Sequence, residues 1–157
     1  MLLTKEFFFD SAHMLSNYDG KCGNIHGHTY KLKVFIKGTP LKNDISQDGG
    51  MILDFSKIKE IINNYILNKF DHSLITTKKE YFYGKLYENV KYCYLDFPFN
   101  IKTTCEMISL QILNDLVKLN IPIDAIELWE TKTSSCYTTK EDLKNFLNDK
   151  NNKNIKC

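Results

Sequence analysis

The most informative stretch of this sequence reads Lys21-Cys22-Gly23-Asn24-Ile25-His26-Gly27-His28-Thr29-Tyr30 and continues as Lys31-Leu32-Lys33-Val34-Phe35-Ile36-Lys37-Gly38. From Tyr30 onward, apolar residues alternate with mostly lysine residues, and this period of two predicts a half-buried β-strand. Residues two apart on a strand point to the same face, so His26 and His28 would present two imidazoles side by side. Two imidazoles on one face are two ligands of a potential metal site.

A third ligand has to come from elsewhere in a chain that contains only four histidines: His13, His26, His28 and His72. His13 ends a second alternating run that begins at Phe7, so it also lies at the end of a predicted strand. Three neutral nitrogen ligands leave a tetrahedral zinc ion with one open position, which is the catalytic rather than the closed structural arrangement. On spacing alone, a chance pair of histidines on a strand remains an alternative.

Composition limits the class of protein. The chain has 157 residues, of which 43% are hydrophobic and 25% charged, which predicts one globular domain over residues 1–147 and a polar tail at 148–157. The net charge of +2 argues against nucleic-acid binding driven by bulk charge. Neither a signal-peptide pattern nor an apolar run long enough to span a bilayer is visible, so no membrane partner is expected.

The cysteines indicate the compartment. Their number is odd, and their spacing follows no regular framework: Cys22, Cys93, Cys105, Cys136 and Cys157. Without an export signal, such cysteines are expected to be reduced thiols, which places the protein in the cytoplasm.

The periodicity along the chain predicts four strands and two long helices. The strands are expected at 2–13, 28–38, 90–97 and 124–131, and the helices at 56–69 and 103–119, with a short last helix from 138. Two antiparallel hairpin-like pairs with helices on one face make an α+β domain. The tyrosine-rich stretch at 81–94 is interpreted as strand and loop packing rather than as a binding surface.

Two helix starts carry capping signals. Ser56 is the predicted N-cap of the first long helix. Thr103 and Glu106 fit a capping box at the start of the second. A capping role at the start of this helix would by itself explain why a glutamate occupies position 106.

Glu130 is the unusual residue of the last predicted strand. It has the same parity as Ile126 and Leu128, which puts a carboxylate on what should be the buried face. A buried carboxylate is costly unless it is paired or hydrogen-bonded, so a functional role is favoured. The alternative is that Glu130 lies beyond the strand's end, in water.

Six motifs in fixed order carry a resemblance to a known family. They are Phe9-Asp10-Ser11-Ala12-His13, the stretch from Cys22 to His28, Gly50-Met51-Ile52-Leu53-Asp54-Phe55, Phe70-Asp71-His72, Thr104-Cys105-Glu106 and Glu130-Thr131. With them the chain resembles, from about residue 5 to 140, the 6-pyruvoyl-tetrahydropterin and 6-carboxytetrahydropterin synthases. The resemblance implies the tunnelling fold (T-fold), a four-stranded antiparallel sheet with two long helices on one face. It also implies homo-oligomeric barrels, trimers or hexamers, with active sites between subunits.

The resemblance also assigns roles to single residues. It implies a Zn²⁺ cofactor on His13, His26 and His28, catalytic roles for Cys22, Asp71 and His72, and substrate binding by Glu130, Thr104 and Glu106. From the residues alone, Cys22 as a buried filler and Asp71-His72 as a helix-end cap stay open. Adjacent residues do not easily hydrogen-bond in an extended segment, so the relay partners of Cys22 are expected from a neighbouring subunit.

The resemblance implies 7,8-dihydroneopterin triphosphate, a small-molecule pterin, as the substrate. Only three residues separate Cys22 from His26, which resembles the 6-carboxytetrahydropterin synthases of queuosine biosynthesis. That branch releases acetaldehyde and triphosphate, whereas the alternative 6-pyruvoyl-tetrahydropterin synthase branch eliminates triphosphate. Cys105 and Cys136 depart from the small residues common at their positions in the family, and both border the expected pocket.

Two hypotheses of other classes remain at this point. A structural zinc module that binds a protein partner would have a fourth protein ligand and an unreactive Cys22. A pterin-binding protein without catalysis would need Glu130 but would give no turnover. Intact Cys22, Asp71 and His72 argue against both.

Overall fold

A hairpin of two twelve-residue strands forms the centre of the fold: β1 (Leu2–His13) and β2 (His26–Lys37). The computed structural model describes residues 1–42, 47–77, 88–97 and 101–149. Phe7 pairs with Leu32 and Phe9 with Tyr30 across the hairpin, so its apolar residues share one face, as their alternation predicts. The hairpin confirms the first two predicted strands.

Four further strands extend the hairpin into a six-stranded sheet. They are β3 (Ser73–Thr76), β4 (Tyr92–Tyr94), β5 (Ile123–Trp129) and β6 (Ser135–Thr139), and the order across the sheet is β4-β3-β1-β2-β5-β6. The pairs β1·β3 and β3·β4 are parallel, whereas β1·β2, β2·β5 and β5·β6 are antiparallel. The sheet is therefore mixed.

The prediction of a four-stranded antiparallel sheet is wrong in the number of strands and in the direction of two strand pairs. β3 has only four residues directly after a helical segment, which is too short for a periodic signal. β6 reads Ser-Cys-Tyr-Thr-Thr and has one fully buried residue, so it carries little apolar patterning. The strand predicted at 90–97 is present but shorter, because only Tyr92–Tyr94 pairs with β3. Residues 81–87 and the tail from 150 lie outside the described residues.

The first helical segment is continuous but not uniform. It consists of α1 (Phe55–Ile62), a π-helical stretch (Asn63–Leu67) and the short α2 (Asn68–Phe70). Its N-cap is Asp54 rather than Ser56: the Asp54 carboxylate accepts a hydrogen bond of 2.6 Å from the backbone amide of Ser56. The Asp54 carboxylate, two residues earlier, takes the place predicted for the Ser56 hydroxyl.

The second long helix, α3 (Cys105–Val117), has Thr104 as its N-cap. The predicted capping box of Thr103 and Glu106 is therefore wrong, and Thr103 instead donates its hydroxyl to the backbone carbonyl of Met14 at 2.6 Å. The last helix, α4 (Lys140–Asn148), begins with a capping box of Thr139 and Asp142.

The helices cover one face of the sheet and leave the other open. Buried residues of α1 and α3 pack with those of the hairpin in one apolar core, whose largest members include Tyr30, Leu32, Ile62 and Ile112. On the opposite face of β1, Phe8 remains 60% exposed. None of the helices in the described part of the chain is long and apolar enough to cross a membrane.

Candidate active site

Three histidines meet at one end of the central hairpin. His13 lies directly opposite His26 in the β1·β2 register, and His28 follows two residues later on the same face. The ring centroids are 4.5 Å (His13–His26), 5.2 Å (His13–His28) and 5.0 Å (His26–His28) apart. One ligand atom from each residue lies within 4.8 Å of the others, so the three side chains could hold one metal ion.

Backbone carbonyls fix the tautomers of two of these rings. His13 Nδ1 lies 2.6 Å from the carbonyl oxygen of Thr103, and His26 Nδ1 lies 2.8 Å from that of Asn24. Because a carbonyl can only accept, each Nδ1 carries the proton and each Nε2 keeps its lone pair. A histidine held in this way is the usual metal ligand.

Two of the remaining ring nitrogens lie in the site without a hydrogen-bond partner among the described residues. His13 Nε2 and His28 Nε2 are buried and have no hydrogen-bond partner among the residues that the structure describes. Burial lowers the pKa of His13 and outweighs the opposing effects of the Thr103 carbonyl and Glu130, so the ring is held neutral. Buried imidazole nitrogens without hydrogen-bond partners fit a divalent cation such as Zn²⁺.

Among the residues that the structure describes, the group of possible metal ligands contains the three histidines and no fourth side chain. Within residues 1–42, 47–77, 88–97 and 101–149, they are the only cluster of histidine, cysteine or acidic side chains close enough to share an ion. A closed structural zinc site would need four protein ligands. The geometry therefore favours a metal with an open coordination position over the structural zinc module.

A cavity of about 410 Å³ opens beside the histidines. It brings together seven of the nine predicted site residues: His13, His26, His28, Cys22, Thr104, Glu106 and Glu130. Leu15, Cys105, Thr131, Ser134, Ser135 and Cys136 complete its wall. The two predicted residues that it does not contain are Asp71 and His72.

Cys22 is exposed on a tight turn at the mouth of this cavity. It lies in a 3₁₀ turn (Lys21–Gly23), and its backbone carbonyl accepts a hydrogen bond of 2.8 Å from the amide of Leu15. A Cβ on Gly23 would lie 2.5 Å from the carbonyl oxygen of Tyr18, so the turn needs glycine there. The exposed thiol excludes Cys22 as a buried filler.

Glu130 lies against the histidines rather than in open water. It follows the last residue of β5, and its amide donates a hydrogen bond of 3.1 Å to the Ser134 carbonyl. Its Oε1 is 3.5 Å from His13 Nε2 and 3.9 Å from His28 Nε2. The carboxylate is thus half-buried in the cavity, next to the position that a metal would take.

The start of α3 forms another wall. Thr104 caps the helix and also lines the cavity, whereas Glu106 is exposed there and belongs to no capping box. The structural explanation for Glu106 is therefore removed, and it remains a candidate binding residue.

Cys105 and Cys136 line the same cavity. The Cys105 Sγ donates a hydrogen bond of 3.5 Å to the carbonyl of Leu128, which lies opposite Cys136 in the β5·β6 register. Burial, with Glu130 nearby, raises the pKa of Cys105 to about 12. The Cys105 thiol is therefore neutral at physiological pH, and it forms a polarizable wall beside Glu130.

Asp71 and His72 form a hydrogen-bonded pair elsewhere on the chain. Asp71 Oδ2 accepts a hydrogen bond from His72 Nδ1 at 2.9 Å. His72 is exposed at a second cavity of about 710 Å³, which Asp10 and Thr29 line and which shares His28 with the first cavity. Adjacent residues do bond here, contrary to expectation, because His72 has a left-handed backbone with φ of 53°. Asp71 is also the C-cap residue of α2, so its helix-end role is present as well.

The Asp71 carboxylate is set up to stay ionised. Its partial burial acts to raise its pKa, but hydrogen bonds from the Asp10 amide and from His72, with the nearby charges of His72 and Lys91, prevail and lower it. An ionised carboxylate accepts the hydrogen bond from His72 Nδ1 and so fixes the orientation of that ring.

Sequence reasoning missed the groups that orient the ligands. Thr103 and Asn24 act through backbone carbonyls, which carry no side-chain signal. Ser134 and Ser135 line the cavity, and the polar run after Glu130 was the available signal for them.

Comparison with known proteins gives consistent matches over most of the chain. A family model described as 6-pyruvoyl tetrahydropterin synthase matches residues 2–141. A Haemophilus influenzae protein named 6-carboxy-5,6,7,8-tetrahydropterin synthase is 41% identical over 138 residues, which cover 85% of this chain and 95% of that protein. A Synechocystis protein of the same name is 29% identical over 136 residues, 85% of this chain and 89% of that protein.

A solved structure agrees in fold. The Caenorhabditis elegans 6-pyruvoyl tetrahydropterin synthase superimposes with a TM-score of 0.62 at 21% identity, covering 88% of this chain and 94% of that one. At this identity the likeness bears on the fold alone.

Proposed function

The chain belongs to the 6-pyruvoyl tetrahydropterin synthase family, a family of enzymes, and on that premise we propose that it is a zinc-dependent 6-carboxy-5,6,7,8-tetrahydropterin synthase. The substrates are 7,8-dihydroneopterin triphosphate and one water molecule, and the products are 6-carboxytetrahydropterin, acetaldehyde and triphosphate, in the biosynthesis of queuosine. The observation that carries the proposal is one cavity in which three histidines, Glu130 and an exposed cysteine converge.

His13, His26 and His28 are the residues that would hold zinc. When bound, a zinc ion with an open position polarises oxygen atoms of the substrate and stabilises the negative charge that develops on them. The hydrogen bonds from His13 to Thr103 and from His26 to Asn24 keep the rings in the ligating tautomer before the metal arrives. The protein therefore supplies a pre-oriented set of nitrogen ligands.

The other cavity residues act on the substrate directly. Cys22, exposed beside the histidines, takes a proton from the substrate's side chain as the general base. Glu130 accepts two hydrogen bonds from the aminopyrimidinone edge of the pterin, a bidentate contact that fixes the ring. Thr104 and Glu106, at the start of α3, line the position that the pterin ring would occupy.

Asp71 and His72 serve the site of a neighbouring subunit in this proposal. Within one chain His72 lines a different cavity from Cys22, and its 2.9 Å hydrogen bond to Asp71 is an arrangement suited to proton exchange. A homo-oligomer, trimer or hexamer, in which sheets join edge to edge into a T-fold barrel would bring the two cavities together. The open face of the sheet is compatible with such a barrel. We also propose that this one-domain enzyme is located in the cytoplasm.

Product analysis tests the proposal. Zinc-loaded protein is incubated with 7,8-dihydroneopterin triphosphate, and pterins and acetaldehyde are followed by mass spectrometry, with the Cys22→Ala variant in parallel. The expected result is a carboxypterin with equimolar acetaldehyde, absent from the variant. A pyruvoyl product without acetaldehyde would assign the chain to the other branch. Binding without any product would leave a pterin-binding protein.

A further inference from the structure

Lys91 lies beside the Asp71–His72 pair and contacts its main chain. Its Nζ donates a hydrogen bond of 2.7 Å to the backbone carbonyl of Asp71. That carbonyl belongs to the peptide group that leads into His72, whose φ of 53° is unfavourable for a residue with a side chain. Such a backbone conformation persists only where its surroundings hold it.

The sheet places Lys91 where this hydrogen bond can form. Lys91 directly precedes β4, and its carbonyl accepts a hydrogen bond of 2.9 Å from the amide of Leu74 in β3. The parallel pairing of β3 with β4 thus fixes the main chain of Lys91 next to the start of β3. From there its side chain reaches back to Asp71.

Strand β1 holds the pair from the other side. The Asp10 amide donates to Asp71 Oδ1 at 3.0 Å, and the His72 amide donates to the Asp10 carbonyl at 2.7 Å. The Asp10 side chain is itself held, because Thr29 donates its hydroxyl to Asp10 Oδ1 at 2.6 Å. With one carboxylate oxygen held by β1, the other faces His72 Nδ1.

We propose that Lys91 is a positioning residue for the Asp71–His72 pair. By holding the Asp71 carbonyl, it keeps the left-handed turn in which Asp71 binds the Nδ1–H of His72. This leaves His72 Nε2 free to exchange protons. The positive charge of Lys91 also favours the ionised carboxylate. The inference rests on the proposed function of the pair in proton transfer.

The test compares Lys91→Met, which removes the donor but keeps an unbranched stem, with Lys91→Arg, which keeps a donor. Lys57→Met is the matched control, since Lys57 is an exposed lysine whose Nζ pairs with Asp48 at 3.0 Å. We expect kcat of Lys91→Met to fall about tenfold at unchanged KM, because a misplaced catalytic group lowers the rate without loosening substrate binding. Lys91→Arg should recover most of the rate, and Lys57→Met should match wild type.

A second measurement does not depend on turnover. In protein labelled with ¹⁵N-histidine, NMR reports which ring nitrogen of His72 carries the proton. Wild type and Lys91→Arg should show the Nδ1–H form, and Lys91→Met should lose this preference while its melting temperature stays near that of wild type. If Lys91→Met keeps the wild-type His72 signal, the inference is wrong, whatever happens to kcat. If the wild type turns nothing over, the proposed function fails, and the NMR comparison still decides the role of Lys91.

Discussion

His13 and His26 face each other across one rung of the central hairpin, so a single register places two of the three candidate ligands. His28 adds the third from the same strand as His26, so all three histidines lie on two paired strands. A register slip of one residue would turn the ligands to the opposite face. The apolar core under β1 and β2 therefore also specifies the candidate metal site.

Replacing one ligand should abolish metal binding without unfolding the protein. For His28→Gln we expect zinc affinity to fall more than about 100-fold, because even the loss of a group that orients a ligand costs about 10–100-fold. Metal analysis of dialysed protein measures the zinc content per chain, and circular dichroism checks the fold. His72→Gln is the control and should keep its zinc, since this side chain is 79% exposed at the other cavity. Full zinc content in His28→Gln would contradict the assignment.

Two inactive variants should restore each other's activity. Cys22→Ala and His72→Ala damage different cavities of one chain. We assume that each active site combines Cys22 of one subunit with His72 of the next. The two variants, mixed in equal amounts and reassembled, should then regain about a quarter of wild-type activity. About one site in four would receive both an intact Cys22 and an intact His72. Each variant reassembled alone is the control. No recovery in a mixture shown to contain mixed oligomers would mean that each chain uses its own pair.

The cysteines should differ sharply in reactivity toward iodoacetamide. Burial raises the pKa of Cys93 and that of Cys105 to about 12, so at pH 8 only about one thiol in 10,000 is ionised at either residue. Cys22 is exposed and should be labelled first. Peptide mass spectrometry after short labelling measures the order.

The pH dependence follows from the sign of these shifts. Because the pKa of Cys105 is raised, its labelling rate should climb about tenfold per pH unit between pH 8 and 10, without a plateau. Protein unfolded in urea is the control, in which all cysteines should react alike. Rapid labelling of Cys105 in the folded protein at pH 8 would show that its thiol is not buried as described.

Gly23→Ala should disturb the turn that presents Cys22. The new Cβ would lie 2.5 Å from the backbone oxygen of Tyr18, which cannot rotate away. We expect the free energy of unfolding to fall by about 1–3 kcal/mol, as in other overpacked sites, together with a loss of activity. Urea denaturation measures the change. Lys21→Ala, an exposed neighbour, should change stability by no more than about 0.5 kcal/mol. Equal stability of both variants would show that the loop adapts freely.

The part of the fold that the sequence predicts well is the part with strong periodicity. The alternation of Phe7 to His13 and of Tyr30 to Ile36 identified the hairpin and the meeting of its histidines. The strands β3 and β6 are short and poorly patterned, and they exist because neighbouring strands offer them hydrogen bonds. Tertiary pairing of this kind leaves little trace in local sequence.

The candidate site divides in the same way. The residues that would meet metal or substrate carry diagnostic side chains, so Cys22 and Glu130 could be singled out from type and position. The Thr103 carbonyl that orients His13 and the lysine that hydrogen-bonds to the Asp71 carbonyl become visible only in three dimensions. The left-handed turn at His72 was unpredictable for the same reason, since only the surrounding bonds make it favourable.

The hydrogen bond from His13 to the Thr103 carbonyl has a thermodynamic consequence. Thr103 immediately precedes Thr104, Cys105 and Glu106, which line the cavity at the start of α3. A metal ion that restricts the motion of the His13 ring would also restrict the motion of this wall. A ligand that orders the wall would in turn restrict the motion of the ring. Linkage makes the effect reciprocal: metal and substrate should raise each other's affinity by the same factor. The enzyme would then bind its substrate more weakly whenever the metal is missing.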